Sequence, residues 1–377
     1  MAENKEKKVL NVPNLRFPEF EGEWQENYVN EICNEFKSGK AIKADLILDV
    51  GTYPVFGGNG LRGYTSTYNH DGLFVLIGRQ GALCGNVRSV IGKTYITEHA
   101  IAVNGNNKSD TNFLHYLFLQ MDLGRFSDQS AQPGLAVNKL LKLKVITPRI
   151  DEQRKIANLL RLLDERIATQ NKIIDKLQSL IKGISNRLLY ADNSMSIRIE
   201  EMLIERSERT KKNNQYEILS STVNGIFSQR DYFSKDIASD NNVGYKIIHL
   251  HDIVLSPQNL WMGNINFNDK FDIGIVSPSY KVFSIADGFD KKYVAALLKT
   301  HHALYNYMLV SEQGASIVRR NLNYEAFEQL VFKIPSLNKQ QEIGHVISLL
   351  KSQLENANLL IKTYNSQKQY LLRQMFI

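Results

Sequence analysis

The sequence predicts an α+β chain in which two similar globular domains alternate with two long coiled-coil helices. Three observations carry this. A 42-residue segment recurs without gaps at an offset of 187 residues. Each copy of it holds apolar residues at a 4,3 spacing over about five heptads, the mark of a coiled coil. The chain outside these segments is rich in β-branched, period-two runs broken by glycine.

Taken in order, residues 14–147 form the first domain. LFVLIG at 73–78 and KTYITEHAIAV at 93–103 read as strands, and FLHYLFL at 113–119 reads as a short helix. FGGNGLRGY at 56–64, dense in glycine, reads as an exposed loop.

Residues 148–190 form the first long helix. Pro148 precedes it and Asp151 suits an N-cap. Its stripe runs Ile156, Leu160, Leu163, Ile167, Gln170, Ile174, Leu177, Ile181, Ile184, Leu188, with only Gln170 polar. The linker YADNSMS at 190–196 lacks regular apolar spacing and ends the helix.

Residues 197–334 form the second domain, with strands in KIIHLHDIVLS at 246–256 and YKVFSI at 280–285. IVLSPQNLWMGNI at 253–265 parallels VLIGRQGALCGNV at 75–87, and YVAALLK at 293–299 takes the place of FLHYLFL. Residues 335–377 form the second long helix, with Pro335 and Asn338 where the first copy has Pro148 and Asp151. Its stripe is Ile343, Ile347, Leu350, Leu354, Ala357, Ile361, Tyr364, Lys368, Leu371, Met375, broken only by Lys368. Two separate amphipathic helices are the plainer alternative, but such helices rarely exceed ~20 residues.

Net charge is +7 and the isoelectric point near 9.1, which permits a polyanionic partner. Residues 151–191 and 338–377 together carry +6 of it. The globular parts are therefore nearly neutral, and a charged face on them needs uneven placement. Two cysteines, Cys33 and Cys84, cannot make a disulfide framework and suit a reducing, cytoplasmic setting. No 18-residue apolar run spans a membrane, and the polar N-terminus lacks a signal core.

Catalytic motifs are missing. Gly92-Lys93-Thr94 is the nearest approach to a P-loop, but Val87 stands where its first glycine belongs. No Asn-Pro-Pro-aromatic motif of amino-methyltransferases occurs, and no nucleophile elbow. His249 and His251 share a face if they lie on one strand, which is half a metal site at most, and no other ligands accompany them. His301-His302 reads as a solvated pair at a helix end. No metal is expected.

The repeated helix start, ITPRIDEQRKIANLLRLLDERI and KIPSLNKQQEIGHVISLLKSQL, resembles that of type I restriction–modification specificity subunits. NVPNLRFPEFEGEWQE near the start is similar to their opening. YPVFGGNGLRGY and FVLIGRQGALCGNV resemble a first target-recognition domain; NGIFSQRDYF, IVLSPQNLWMGNI and VSPSYKVF resemble a second. Lys339 replaces the glutamate of the helix start in the second copy, a small departure.

The resemblance implies a non-catalytic, DNA-binding subunit that reads a bipartite double-stranded target. An internal pseudo-twofold would present two recognition domains to two half-sites, so the helices would run antiparallel, as a ruler and a dock. It further implies two methyltransferase and two motor–restriction subunits as partners, which would hold S-adenosylmethionine, ATP and magnesium; this chain needs no cofactor. At ~1.5 Å per residue each helix is about 60 Å long, more than a turn of B-DNA.

Base readout needs arginine, lysine, asparagine and glutamine. The candidates in loops are Asn59, Arg62, Arg79, Gln80 and Arg88, then Gln229, Arg230, Gln258, Asn259, Arg319 and Arg320. Tyr64, Tyr232 and Trp261 are candidates for stacking, with Trp261 equally suited to a core. A coiled-coil adaptor with two binding domains and no DNA also fits the helices and the duplication, but not the recognition-domain resemblance.

Overall fold

A computed structural model describes residues 11–128, 133–188, 195–232, 241–313 and 320–377. The chain forms two compact units, Met1–Asn171 with Leu359–Ile377, and Lys172–Asn358. Both long helices are continuous through the boundary, so each unit holds part of each.

Among the described residues the first unit contains nine strands. They are β1 (Gln25–Tyr28), β2 (Cys33–Ser38), β3 (Tyr53–Gly57), β4 (Gly60–Thr65), β5 (Leu73–Gly78), β6 (Val87–Ile91), β7 (Tyr95–Ile96), β8 (Ala100–Gly105) and β9 (Lys144–Thr147). Its main sheet has the order β2-β8-β5-β6; β4-β3-β7 and β1-β9 form smaller ones. Helix α1 (Thr111–Gln120) follows β8, and α2 (Ile150–Leu188) is the first long helix.

The second unit repeats the plan. It has β10 (Met195–Arg198), β11 (Leu203–Arg206), β12 (Leu219–Thr222), β13 (Gly225–Ser228), β14 (Lys246–His249), β15 (Ile253–Leu255), β16 (Ile265–Phe267), β17 (Ile273–Val276), β18 (Lys281–Ile285), β19 (Ser311–Gln313), β20 (Arg320–Leu322) and β21 (Val331–Ile334). Its main sheet, β11-β18-β15-β16, has the order of the first. Helices α3 (Lys291–Leu297), α4 (His301–Leu309) and the second long helix α5 (Leu337–Gln374) follow.

Each central strand is apolar on both faces, as a strand covered on both sides must be. Val75 and Ile77 of β5 face the core that holds α1, while Phe74 and Leu76 face a smaller cluster. In β15, Ile253 and Leu255 face the α3 side and Val254 the other.

Each long helix is joined to its unit through a buried glutamine. Gln153 is fully buried, accepts hydrogen bonds from the Asp110 N–H and Ser109 hydroxyl, and donates to the Pro148 and Lys108 carbonyls. Gln340 repeats this by accepting from the Asp290 N–H and donating to the Pro335 carbonyl. Asp110 and Asp290 are in turn the N-caps of α1 and α3. The neighbouring position explains the departure from symmetry. Glu152, 1 % exposed, pairs with Arg16 at 2.7 Å and accepts from the Trp24 indole, both in the N-terminal segment. Lys339 in its place is exposed and pairs with Glu342.

The stripe positions turn inward. Ile156, Leu160, Leu163, Ile174, Ile343 and Ile347 are buried; Ile167, Leu177, Ile181, Leu350, Leu354 and Ile361 are half-buried. The side chain of Leu188 lies outside the described residues, as do linker residues 189–194. In the first unit the start of α2 meets the end of α5: Ile156, Leu160 and Leu163 share a core with Leu371, Met375 and Phe376. In the second unit Ile184, near the end of α2, packs on the core holding Ile343 and Ile347 at the start of α5. The pairing is therefore antiparallel within each unit. Lys368, the polar break in the stripe, is held by Asp164 at 2.6 Å, and the Tyr116 hydroxyl donates to the same carboxylate.

Four local expectations need correction. The long helices begin at Ile150 and Leu337, so Asp151 and Asn338 lie inside the first turn instead of capping it. FGGNGLRGY is not an exposed loop but the β3–β4 hairpin, with Gly57, Gly58 and Gly60 buried. His249 ends β14 beside Glu208 while His251 sits in a turn at φ +76°, so the two do not share a strand face. His301-His302 opens α4 instead of closing a helix.

Two predictions follow from this packing. Ile174 is buried and its neighbour Ile173 is 43 % exposed. Ile174→Asp therefore strands a charge in the seam and costs several kcal/mol, whereas Ile173→Asp leaves the melting temperature nearly unchanged. Equal melting of the two variants would mean that the stripe is not a seam.

The second concerns pH. His115 on α1 has a buried Nδ1 without a hydrogen-bond partner, and burial, then Lys368, lowers its pKa from 6.5 to about 4. The folded chain keeps it neutral while the unfolded chain protonates it. Stability is full above pH ~6.5 and falls as pH drops towards ~4, by up to about 3 kcal/mol. Urea unfolding against pH should show this slope, and His115→Leu should flatten it; parallel profiles would exclude the histidine as the cause.

Candidate nucleic-acid interface

In the first unit the hairpin tip Gly57–Gly60 lies against the segment that follows β5. A Cβ on Gly58 would stand 2.7 Å from the His99 carbonyl and 3.5 Å from the Arg79 nitrogen. One on Gly60, at φ +109°, would stand 2.2 Å from Arg88 Nη1. One on Gly57 would meet Arg62 Cδ at 2.9 Å. Only glycine permits this approach, and it gathers Asn59, Arg62, Arg79, Gln80 and Arg88 around one tip.

The backbone fixes the arrangement. The Arg79 N–H donates to the His99 carbonyl, and the Arg79 carbonyl accepts from the Leu135 N–H and the Cys84 thiol. Gln80 is bridged to Gly134, and its Oε1 lies 3.0 Å from His99 Nδ1. His99 Nε2 lies 3.3 Å from Glu98. Arg88 Nε, Thr97 Oγ1 and Glu98 Oε2 are buried without a hydrogen-bond partner. Leaving such atoms unmet is costly, and they cluster where a polar ligand could meet them.

Sequence reasoning missed Glu98 and His99. They stand in a strand-like run, and the signal was two charged or titratable residues interrupting it just before β8. It also placed Arg62, Tyr64 and Arg88 in loops, whereas all three lie on strands, β4 and β6. Tyr64 is bonded through its backbone to Leu48, two residues along β4 from Arg62, and is half-buried.

The second unit builds a matching loop at 256–264. Asn264 N–H donates to the Asn259 carbonyl, Asn259 N–H to the Ser256 carbonyl, and Gly263 turns at φ +89°. Gly85 turns likewise in the first unit, at φ +86°. A buried amide network anchors this loop to β12: Asn264 Nδ2 donates to the Ser221 carbonyl, and Asn266 Nδ2 to Ser221 Oγ at 2.7 Å. The Arg320 N–H donates to the Gln258 carbonyl, as Leu135 does to Arg79 in the first unit. The Arg320 guanidinium stacks 4.6 Å from the Trp261 ring centre. Gln258, Asn259, Trp261 and Arg320 thus form one group.

Gln229 and Arg230 lie on the single helical turn after β13. Arg319 and the side chain of Tyr232 lie outside the described residues. Among the described residues no cluster of His, Cys, Asp or Glu side chains could hold a metal ion, and no helix is long and apolar enough to cross a membrane.

Comparison with known proteins gives this geometry a context. Residues 21–179 match the family model of the type I restriction modification DNA specificity domain. Over 154 residues the chain is 42 % identical to the type I restriction enzyme EcoprrI specificity subunit of Escherichia coli, covering 40 % of this chain and 38 % of that protein. The match thus spans well under half the length of that relative. The type I restriction–modification S subunit from M. genitalium has the same fold, with a TM-score of 0.70 at 15 % identity over 97 % of this chain and 99 % of that one.

The glycine cradle generates a prediction. Gly60→Ala and Gly72→Ala both strain a left-handed backbone, at φ +109° and +118°, but only at Gly60 does the new methyl meet a side chain. Each should cost about 1 kcal/mol or more, and Gly60→Ala should melt lower than Gly72→Ala because it also displaces Arg88. If the two melted alike, the Gly60–Arg88 contact would not hold the tip.

Proposed function

We propose that this chain belongs to the type I restriction–modification specificity family and reads a bipartite sequence in double-stranded DNA for partner enzymes that modify or cut it. The observation that carries this reading is the duplicated platform. Two sheets of identical order each present a loop locked by a left-handed glycine, with arginine, glutamine and asparagine side chains gathered beside it. Those residue types match the donor and acceptor pattern of base edges in the major groove. The two sets differ: Asn59, Arg62, Arg79, Gln80 and Arg88 in one, Gln258, Asn259 and Arg320 with Trp261 in the other. Two different readers imply two different half-sites.

The chain itself has no catalytic role on this reading. Methyl transfer and cleavage belong to two methyltransferase and two motor–restriction subunits, which bring S-adenosylmethionine, ATP and magnesium. The long helices are the dock. Their seam residues are spent on one another and on the domain cores, yet Leu162, Ile173 and Leu180 of α2 and Val346, Leu349 and Leu360 of α5 remain exposed at 40–52 %. Apolar residues left outside a coiled coil are apt for a protein partner.

The test is an exchange of readers. Replacing residues 14–147 by the corresponding domain of a relative, and mapping methylation by the assembled complex, should change one half of the target and leave the other intact. A change in both halves, or in neither, would refute independent reading.

A further inference from the structure

The second unit holds a solvent-open cavity of about 330 Å³ lined by Ile181, Lys182, Ala296, Lys299, Thr300 and Lys351, among others. Three lysine side chains line it. Helix α4 begins there, with Thr300 as its N-cap accepting from the Ala303 N–H, so the positive end of its dipole adds to the field. Lys299 also touches the candidate reading loop: its Nζ donates to the Gly263 carbonyl at 2.7 Å and the Val223 carbonyl at 3.3 Å. Burial, and then the charge of Lys351, lowers its pKa from 10.5 to about 8. Asp269 and Glu355 offset part of the charge of Lys351, and Glu355 also pairs with Lys270.

The internal repeat shows what this place requires. At the offset of 187 that relates the long helices, Lys351 replaces Asp164, Ile181 replaces Lys368 and Lys182 replaces Gln369. Between the capped helices α1 and α3 the offset is 180, so Ala296 replaces Tyr116 and Lys299 replaces Leu119. In the first unit Tyr116, Asp164 and Lys368 bond to one another at this place. In the second unit a tyrosine has become alanine, which leaves room, and a carboxylate has become an ammonium. The first unit holds the same fold without lysine at any of the three positions, so the fold does not demand them.

We propose that this cavity binds a phosphate group, held by Lys182, Lys299 and Lys351 at the start of α4. A small anion of phosphate type supplies that chemistry, and so does a backbone phosphate of DNA lying on the adjacent reading loop. The second source rests on the DNA-reading function proposed above; the site itself does not. A backbone phosphate here would position the duplex without reading its sequence.

The test has two arms, run on the full chain as wild type, as Lys182→Gln/Lys351→Gln and as Ala296→Tyr. Ala296→Tyr restores the tyrosine of the first copy without altering charge. Calorimetric titration with inorganic phosphate should show saturable binding that weakens at least tenfold in both variants, while melting of the lysine variant without phosphate stays unchanged. In the second arm, DNA affinity is followed against salt. If the phosphate is borne by DNA, the slope of log K on log salt should fall by about one to two in the lysine variant, and affinity should also fall in Ala296→Tyr. If the ligand is a free anion, phosphate binding is lost and the DNA slope is unchanged. Identical behaviour of both variants and wild type in both arms would overturn the site. Failure of the wild type to bind DNA at all would sink the reading function and leave the phosphate titration to decide.

Discussion

The buried glutamines at the starts of the long helices, Gln153 and Gln340, set the constraint from which the rest of the molecule follows. Each carboxamide accepts from the backbone of a helix-capping aspartate and donates to the carbonyl of a proline five residues before it. A buried amide must have both ends met, since an unmet one costs about 1–3 kcal/mol. The bond set therefore fixes how each long helix leaves its sheet. Once both exits are fixed in the same way, the inward stripe of each helix has a defined partner.

Much of this was legible in sequence because it depends on spacing. The 187-residue repeat and the 4,3 stripe mark the two long helices and the face of each that turns inward. Lys368 looked like a defect in the stripe and is instead held by Asp164, a residue one position after stripe residue Leu163. The candidate interface was only half legible. Gly57, Gly58 and Gly60 resembled a loop because glycine marks loops in sequence, whereas here each glycine admits a neighbouring chain in a hairpin. His99 was missed because it meets Arg79 and Gln80, some 20 residues away, and Glu98 because it pairs with His99.

Duplication preserves what folding needs and frees what the proposed recognition would need. The sheet order, the glutamine joints, the aspartate caps and the left-handed glycines at 85 and 263 recur in both units. The residues around those glycines do not: where one copy has Arg79, Leu83 and Cys84, the other has Pro257, Trp261 and Met262. The same holds deeper in the fold, where Tyr116 and Asp164 give way to Ala296 and Lys351. Two copies that kept one surface would read one half-site twice; divergence on a retained frame is what a two-part target requires.

The central claim is that one chain supplies two separate readers. Its most direct measurement is a genome-wide map of methylated bases in cells that carry the partner methyltransferase, with and without this chain. The account predicts one motif, dependent on the chain, with two fixed halves separated by a constant number of unread bases. A contiguous motif, or methylation indifferent to the chain, would contradict it.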